Sequence, residues 1–348
     1  MLNSKDGRLL ALETTTKPKL MSVLSRKQFT LTLAGLCGLS VLSLLWGLSQ
    51  GSAELTLTQL WQALFDDDKL EHQLIFDLRV PRLLSAFAVG GMLALAGALM
   101  QTLLRNPLAD PYVLGISGGA AVGALLMMLL GLSGFWLTGG SFSGALFSML
   151  LVFALSHGKG SWTATRLLLT GVIVAAGWGA LISFILAVSP DNNLRGMLFW
   201  LMGDFSQADK PSTALLVMLI GLGLCLPMAR HLTLLSRGEL QAQALGVNVK
   251  KMRWGIYFLA SLLTAVAVTQ AGSIGFVGLV VPHMVRLIIG NDQRLLLPAS
   301  VLLGGTLLVC ADTLARTIIA PQQLPVGVIT AFLGVPLFLY LLRRSRLS

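Results

Sequence analysis

Charge in this sequence is confined to short islands separated by neutral stretches, each about as long as a bilayer is thick. Residues 29–48, 83–104, 167–189, 211–229 and 324–342 contain no Asp, Glu, Lys or Arg. A hydrocarbon core of about 30 Å takes roughly 20 apolar residues of helix, so each of these stretches predicts one crossing. The neutral run 112–158 is 47 residues long, too long for one crossing. Gly131, Gly134, Gly139, Gly140 and Gly144 break its middle, which predicts two helices and a tight turn. Residues 254–285 hold one helix and, past an interruption near Gly272, the start of another that closes near Ile289. Residues 295–314 form a further span with a single Asp312 near its end. The expectation is an all-α polytopic membrane protein with ten transmembrane helices in one domain, 28–348, after a basic tail, 1–27. The uncharged run at 29–48 is long for a signal-peptide core, so it is read as a retained span.

Composition agrees. Only 11% of the 348 residues are charged and 55% are hydrophobic, against about 25% charged in soluble domains, which excludes an ordinary soluble enzyme and a disordered chain. Cys37, Cys225 and Cys310 all sit in apolar runs, where a disulfide framework or thiolate metal site has no support. The net charge of +10 is spread between spans and forms no patch for nucleic acid. With an even number of crossings, nineteen of the basic residues share the side of the termini. The other six are Lys69, Arg79, Arg82, Arg195, Lys210 and Arg316. The positive-inside rule therefore makes both termini cytoplasmic. Residues 56–65, with Trp61, and 194–205, with Trp200, have helical apolar spacing suited to helices lying in the outer interface.

Several functions lack their residues. His72, His157, His231 and His283 are scattered and no HExxH occurs, which leaves an intramembrane metal enzyme without ligands. Asp312 is the one acid inside a span, a thin basis for ion coupling. The phosphate-cradling pattern GxxxxGK[ST] is missing, since Gly158-Lys159-Gly160-Ser161 lacks the earlier glycine. Nucleotide-driven transport would need a separate ATPase and a place for it to dock. The largest inner loop, about 230–253, supplies one. Glu239 to Leu245 reads as a short helix closed by Gly246, with Ser236 placed to cap it and Glu239 to complete a capping box.

Five stretches together resemble the FecCD family, the permease subunits of binding-protein-dependent ABC importers for ferric siderophores, haem and vitamin B12. They are Arg79-Val-Pro-Arg82; Gly97-Ala-Leu-Met-Gln101 with Arg105-Asn-Pro-Leu-Ala-Asp-Pro-Tyr-Val-Leu-Gly-Ile-Ser-Gly-Gly-Ala120; Gly238-Glu-Leu-Gln-Ala-Gln-Ala-Leu-Gly246; Gly272-Ser-Ile-Gly-Phe-Val-Gly-Leu-Val-Val-Pro-His-Met-Val-Arg286; and Ala311-Asp-Thr-Leu-Ala-Arg316 with Leu324-Pro-Val-Gly327. The resemblance implies the type II ABC importer permease fold and a homodimer in the bacterial inner membrane. It also implies a periplasmic binding protein outside and two ATP-binding subunits inside, which would carry the ATP and magnesium. No cofactor is expected on this chain.

By the same resemblance Arg79, Arg82 and Arg316 meet carboxylates of the binding protein, and Gly238, Glu239, Ala242, Ala244, Leu245 and Gly246 form the ATPase coupling helix. Asn106 and Leu108, with Ala164 and Thr165, border the inner gate. The span 167–189 lines the pathway through Gly171, Ala175 and Gly179. Gln101 and Gln270 occupy corresponding places in two halves, as an internal repeat would put them. Leu198-Phe-Trp-Leu-Met-Gly203 is similar to vitamin B12 permeases, yet iron chelates are the commoner cargo, so a ferric siderophore ranks narrowly ahead of vitamin B12 or haem. The competing readings are an ion-coupled secondary transporter of another fold and a receptor or scaffold that moves nothing.

Overall fold

The computed structural model describes residues 26–51, 70–156, 163–206 and 211–345, and among them every regular element is helical. The first helix, α1 (Arg26–Ser49), is followed by a helical run that enters through Leu70–Gln73, widens into one π-helical stretch at Leu74–Arg79 and continues as α2 (Val80–Leu104). Then come a 3₁₀ turn (Pro111–Leu114), α3 (Ile116–Leu129), α4 (Phe135–Ser156), α5 (Ala164–Val188), α6 (Asp191–Met202) and α7 (Pro211–Arg237). The chain finishes with α8 (Glu239–Ala244), α9 (Val249–Ala271), α10 (Val277–Ile289), α11 (Gln293–Thr317) and α12 (Val326–Ser345).

Seven of these helical stretches are long and apolar enough to cross a bilayer, and Ile116–Leu129, Val277–Ile289 and Val326–Leu341 are shorter apolar helices. The amphipathic segment expected at 194–205 is α6; the one at 56–65, the tail 1–25 and the Gly158 to Ser161 loop lie outside the described residues.

The core is built on α2. A helix apolar all round belongs inside other helices, and from Val89 to Leu103 every α2 residue is buried. With no hydrophobic drive between helices in lipid, close approach supplies the association energy. A Cβ on Gly97 would lie 1.9 Å from the carbonyl oxygen of Gly278 on α10, and one on Gly90 would lie 2.3 Å from that of Gly304 on α11. α1 sits outside, tied to α11 by the Ser40–Thr306 hydroxyl pair at 2.9 Å, with Leu31 and Leu42 turned outward.

The glycine-rich middle of 112–158 divides differently from the sequence reading. Its turn lies at 130–134, with Gly131 and Gly134 at positive φ. Gly139, Gly140 and Gly144 lie inside α4. A Cβ on Gly144 would come 2.1 Å from the carbonyl of Gly119, and one on Gly123 would come 2.1 Å from that of Gly140. Two of these glycines therefore let α3 and α4 touch backbone to backbone rather than breaking a helix.

α3 and α10 have only 14 and 13 residues, or about 20 Å each at 1.5 Å per residue. The irregular segments 106–115 and 272–276 precede them. Such backbone survives at membrane depth only where protein satisfies it, and here the segment 272–276 bonds to the segment 106–115 and to the start of α3. The backbone N–H of Ile274 donates to the Tyr112 hydroxyl at 3.0 Å, and Ser117 Oγ donates to Ser273 Oγ at 2.9 Å.

Candidate functional site

Two clusters of charge occupy opposite ends of α2. At its start, Arg82 grips Asp312 of α11 with a two-nitrogen fork: Nε reaches the two carboxylate oxygens at 3.2 and 3.0 Å, and Nη2 reaches Oδ1 at 2.9 Å. A planar guanidinium matches a carboxylate in this way, and a charge-assisted pair is stronger than a neutral hydrogen bond. Arg82 Nη1 also donates to Gln323 Oε1 at 3.1 Å, and Nη2 stands 3.8 Å from Asp204. One turn along α11, Arg316 Nε approaches the other Asp312 oxygen at 3.2 Å, while its Nη2 is buried without a hydrogen-bond partner among the described residues. Arg79 donates from Nη1 to the carbonyl of Leu48, where α1 ends, at 2.6 Å.

The three arginines singled out from the sequence thus come together at one end of the bundle, two of them on a fully buried aspartate that the sequence reading had placed only near a helix end. One carboxylate, Asp312, is shared between the guanidiniums of Arg82 and Arg316. The i, i+4 spacing of Asp312 and Arg316 on one helix was the available signal for this pairing.

At the other end of α2 stands the short helix α8. Gly238 precedes it at φ 139°, ψ 145°, and Gly246 follows at φ 81°. Ser236 does not cap α8 as expected, because α7 continues through Arg237 and the Ser236 hydroxyl donates to the Thr233 carbonyl inside that helix. Nor does Glu239 close a capping box. Its carboxylate lies between Arg105 Nη2, at 3.2 Å, and Arg253 on α9, at hydrogen-bonding contact. Ala242 packs fully buried against the bundle, whereas Ala244, Leu240 and Leu245 face outward, the two leucines 82% and 66% exposed. Leu240, unremarked in the sequence, is the most prominent apolar group on this helix, and its place opposite Ala242 could be read only from the packing. Nearby, Asp292 caps α11 by accepting from the Arg294 N–H at 3.1 Å. The Arg294 guanidinium holds that carboxyl below its ordinary range.

Between the end of α2 and the 3₁₀ turn, Asn106 Oδ1 accepts from the Leu108 N–H at 2.9 Å, folding 105–109 into a tight bend that leaves Leu108 exposed. Thr163 caps α5 through the Arg166 N–H, which places Ala164 and the exposed Thr165 in its first turn. On α5, Gly171 faces inward: its Cβ position is 2.4 Å from the Val113 carbonyl, so this glycine serves packing against the 3₁₀ turn. Ala175 is half-buried, and Gly177 and Gly179 have open space beside them. Trp178 fixes the helix by donating from Nε1 to Ser148 Oγ, which donates on to the Gly115 carbonyl. An apolar cavity of about 640 Å³ lies along α12, lined by Met202, Phe276, Ala331, Phe332, Val335 and Pro336.

Long apolar helices wound around a buried central one are the architecture of a polytopic membrane protein. The chain belongs to the FecCD transport family, which matches residues 39–344. Among its relatives, the hemin transport system permease HmuU of Yersinia pestis is 41% identical over 332 residues, covering 92% of this chain and 98% of the relative. The vitamin B12 import permease BtuC of Vibrio cholerae is 38% identical over 297 residues, covering 84% and 89%. A solved structure described as an inward-facing conformation of a metal-chelate-type ABC transporter superposes with a TM-score of 0.82 at 33% identity, over 90% of this chain and 99% of the other. The chain is therefore an ABC-transporter permease subunit.

Proposed function

We propose that this chain is the membrane-spanning subunit of a bacterial inner-membrane importer for a metal chelate, crossing the bilayer ten times with both termini cytoplasmic. Two copies enclose the pathway. The exposed small-residue surface of α5, at Gly177 and Gly179, supports a smooth wall that slides a bulky ligand without gripping it. A ferric siderophore ranks narrowly ahead of vitamin B12 or haem. The hemin relative is compatible with an iron cargo, since hemin is an iron porphyrin, and the B12 relative supports the corrinoid as the second reading.

The arginine-rich end of α2 faces the periplasm and receives the substrate-loaded binding protein. Arg82 and Arg316 share the single carboxylate of Asp312, and the Arg316 Nη2 proton donors lack a partner among the described residues. Arg79 and Arg316 are buried, and Arg82 is the most accessible of the three, so a carboxylate arriving from outside would be steered by the net positive field of the cluster and meet Arg82 first. The other end faces the cytoplasm, where α8 offers Leu240 and Leu245 to a groove on each of two ATP-binding subunits. Nucleotide-driven closure of those subunits moves α8 and, through the bundle, shifts access from one side to the other.

The observation that carries this reading is the outward display of Leu240 and Leu245 on a short helix that packs against the bundle through the buried Ala242. The test is reconstitution of the chain with its ATP-binding and binding-protein partners in liposomes. Uptake of a ferric chelate that needs internal Mg-ATP supports the importer. Uptake by this chain alone, driven by an ion gradient, replaces it with a secondary transporter.

A further inference from the structure

We propose that Glu239 is a positioning residue that transmits movement of α8 to the inner gate, through its ion pair with Arg105, and is not itself a contact of the ATPase. The proposal rests on the importer reading above.

Three observations converge on it. First, the Glu239 carboxylate is turned away from the exposed face that carries Leu240 and toward the bundle, where Arg105 and Arg253 clasp the same oxygen, Oε1. Its side chain is 21% exposed. Second, Arg105 sits at φ 49°, ψ 36°, a left-handed conformation; Phe276 is the other non-glycine residue at positive φ among the described residues. A residue that ends a helix in this conformation is ordinarily glycine, because a Cβ is strained there. The residue held there is an arginine whose guanidinium, its side chain 46% exposed, reaches Glu239 at 3.2 Å.

Third, the mechanical surroundings let force pass in one direction. α8 is bounded by Gly238 and Gly246, and no neighbouring atom lies within 4 Å of a Cβ position at either, so packing at its two ends does not oppose a tilt of the helix. The end of α2 cannot follow freely. Gln101 Oε1 accepts from Arg286 Nη1 at 2.9 Å and Gln101 Nε2 donates to the Leu279 carbonyl at 3.0 Å, locking α2 to α10 one turn before Arg105. Beyond that lock α2 ends and the chain turns through the bend 105–109, which carries Asn106 and the exposed Leu108. A pull on Glu239 is therefore delivered to that bend, with Arg253 holding the other side against α9.

The experiment uses the full chain co-purified with its ATP-binding subunit in nanodiscs. Cys37, Cys225 and Cys310 are replaced by serine, and Leu108→Cys places a reporter thiol on the bend. The rate at which a charged maleimide labels that thiol is compared without nucleotide and with Mg-ATP plus vanadate. In the parent the rate should change by about fivefold or more, the scale of an ordinary coupling between sites. Arg105→Gly relieves the left-handed strain and should unfold no earlier than the parent, still bind the ATPase at full stoichiometry, and lose the nucleotide response of the reporter. Glu239→Gln should behave likewise, and Arg105→Lys should restore most of the response. A parent-like response in Arg105→Gly overturns the proposal, as does loss of the ATPase from Glu239→Gln, which would make Glu239 a docking contact. If the parent preparation contains no ATPase at all, the importer reading falls and the link falls with it. If the ATPase is present and the reporter response survives in Arg105→Gly, the link fails alone.

Discussion

Asp312 shows how much one side chain can organise. It is completely buried, and two arginines from different helices converge on it. Removing one partner of a buried ion pair leaves charge without compensation and costs about 3–5 kcal/mol in soluble proteins. Asp312→Asn should therefore lower the thermal midpoint of the detergent-solubilised protein sharply, whereas Arg79→Gln, which removes a donor to the Leu48 carbonyl, should lower it by much less. Equal midpoints for the two variants would mean that Asp312 is not the anchor. The same pairing changes how docking is best tested. Reversing the charge of Arg82 would set two carboxylates against each other inside the fold, and reversing that of the buried Arg79 would set one against the Leu48 carbonyl, so the neutral Arg82→Gln is the gentler probe, with weaker association of the binding protein at low salt as its expected result.

At the level of helices, glycine marks contact rather than flexibility. Gly97→Ala pushes a methyl group into the Gly278 carbonyl, and overpacking of this kind costs about 1–3 kcal/mol. It should destabilise the bundle by an amount visible in a melting curve. Gly177→Ala and Gly179→Ala meet nothing within 4 Å, and replacing glycine in a helix interior gains about 0.5–1 kcal/mol. These two should hold or raise the melting temperature of the solubilised chain. Gly179→Trp should leave the monomer folded yet slow uptake, if α5 is the wall. The sequence could not separate these classes. Gly171 and Gly179 share one helix and one residue type, but only the position of the 3₁₀ turn against α5 shows that Gly171 is filled from within and Gly179 is open.

For the whole molecule, the importer depends on an interface that this chain presents and another protein completes. Burying a leucine side chain is worth about 1.5–3 kcal/mol, which is about one to two orders of magnitude in affinity. Leu240→Asp with Leu245→Asp should therefore reduce recovery of the ATP-binding subunit at least tenfold in a pull-down, with the melting curve of the chain unchanged because both residues are exposed. Full recovery would move the docking surface away from α8.

The neutral runs alone determined that this chain lives in lipid and is helical, since a bilayer core leaves backbone groups no partner except one another. Their spacing, with glycine and proline at the ends, also located most helices to within a few residues and picked out the short helix before Gly246. What the tertiary structure decided was pairing. Which oxygen Arg82 holds, which way Glu239 turns, and which glycines are pressed against a neighbouring carbonyl all depend on residues far apart in the chain. Hydropathy records the preference of each segment for its solvent, and that preference is silent on which other segment lies beside it.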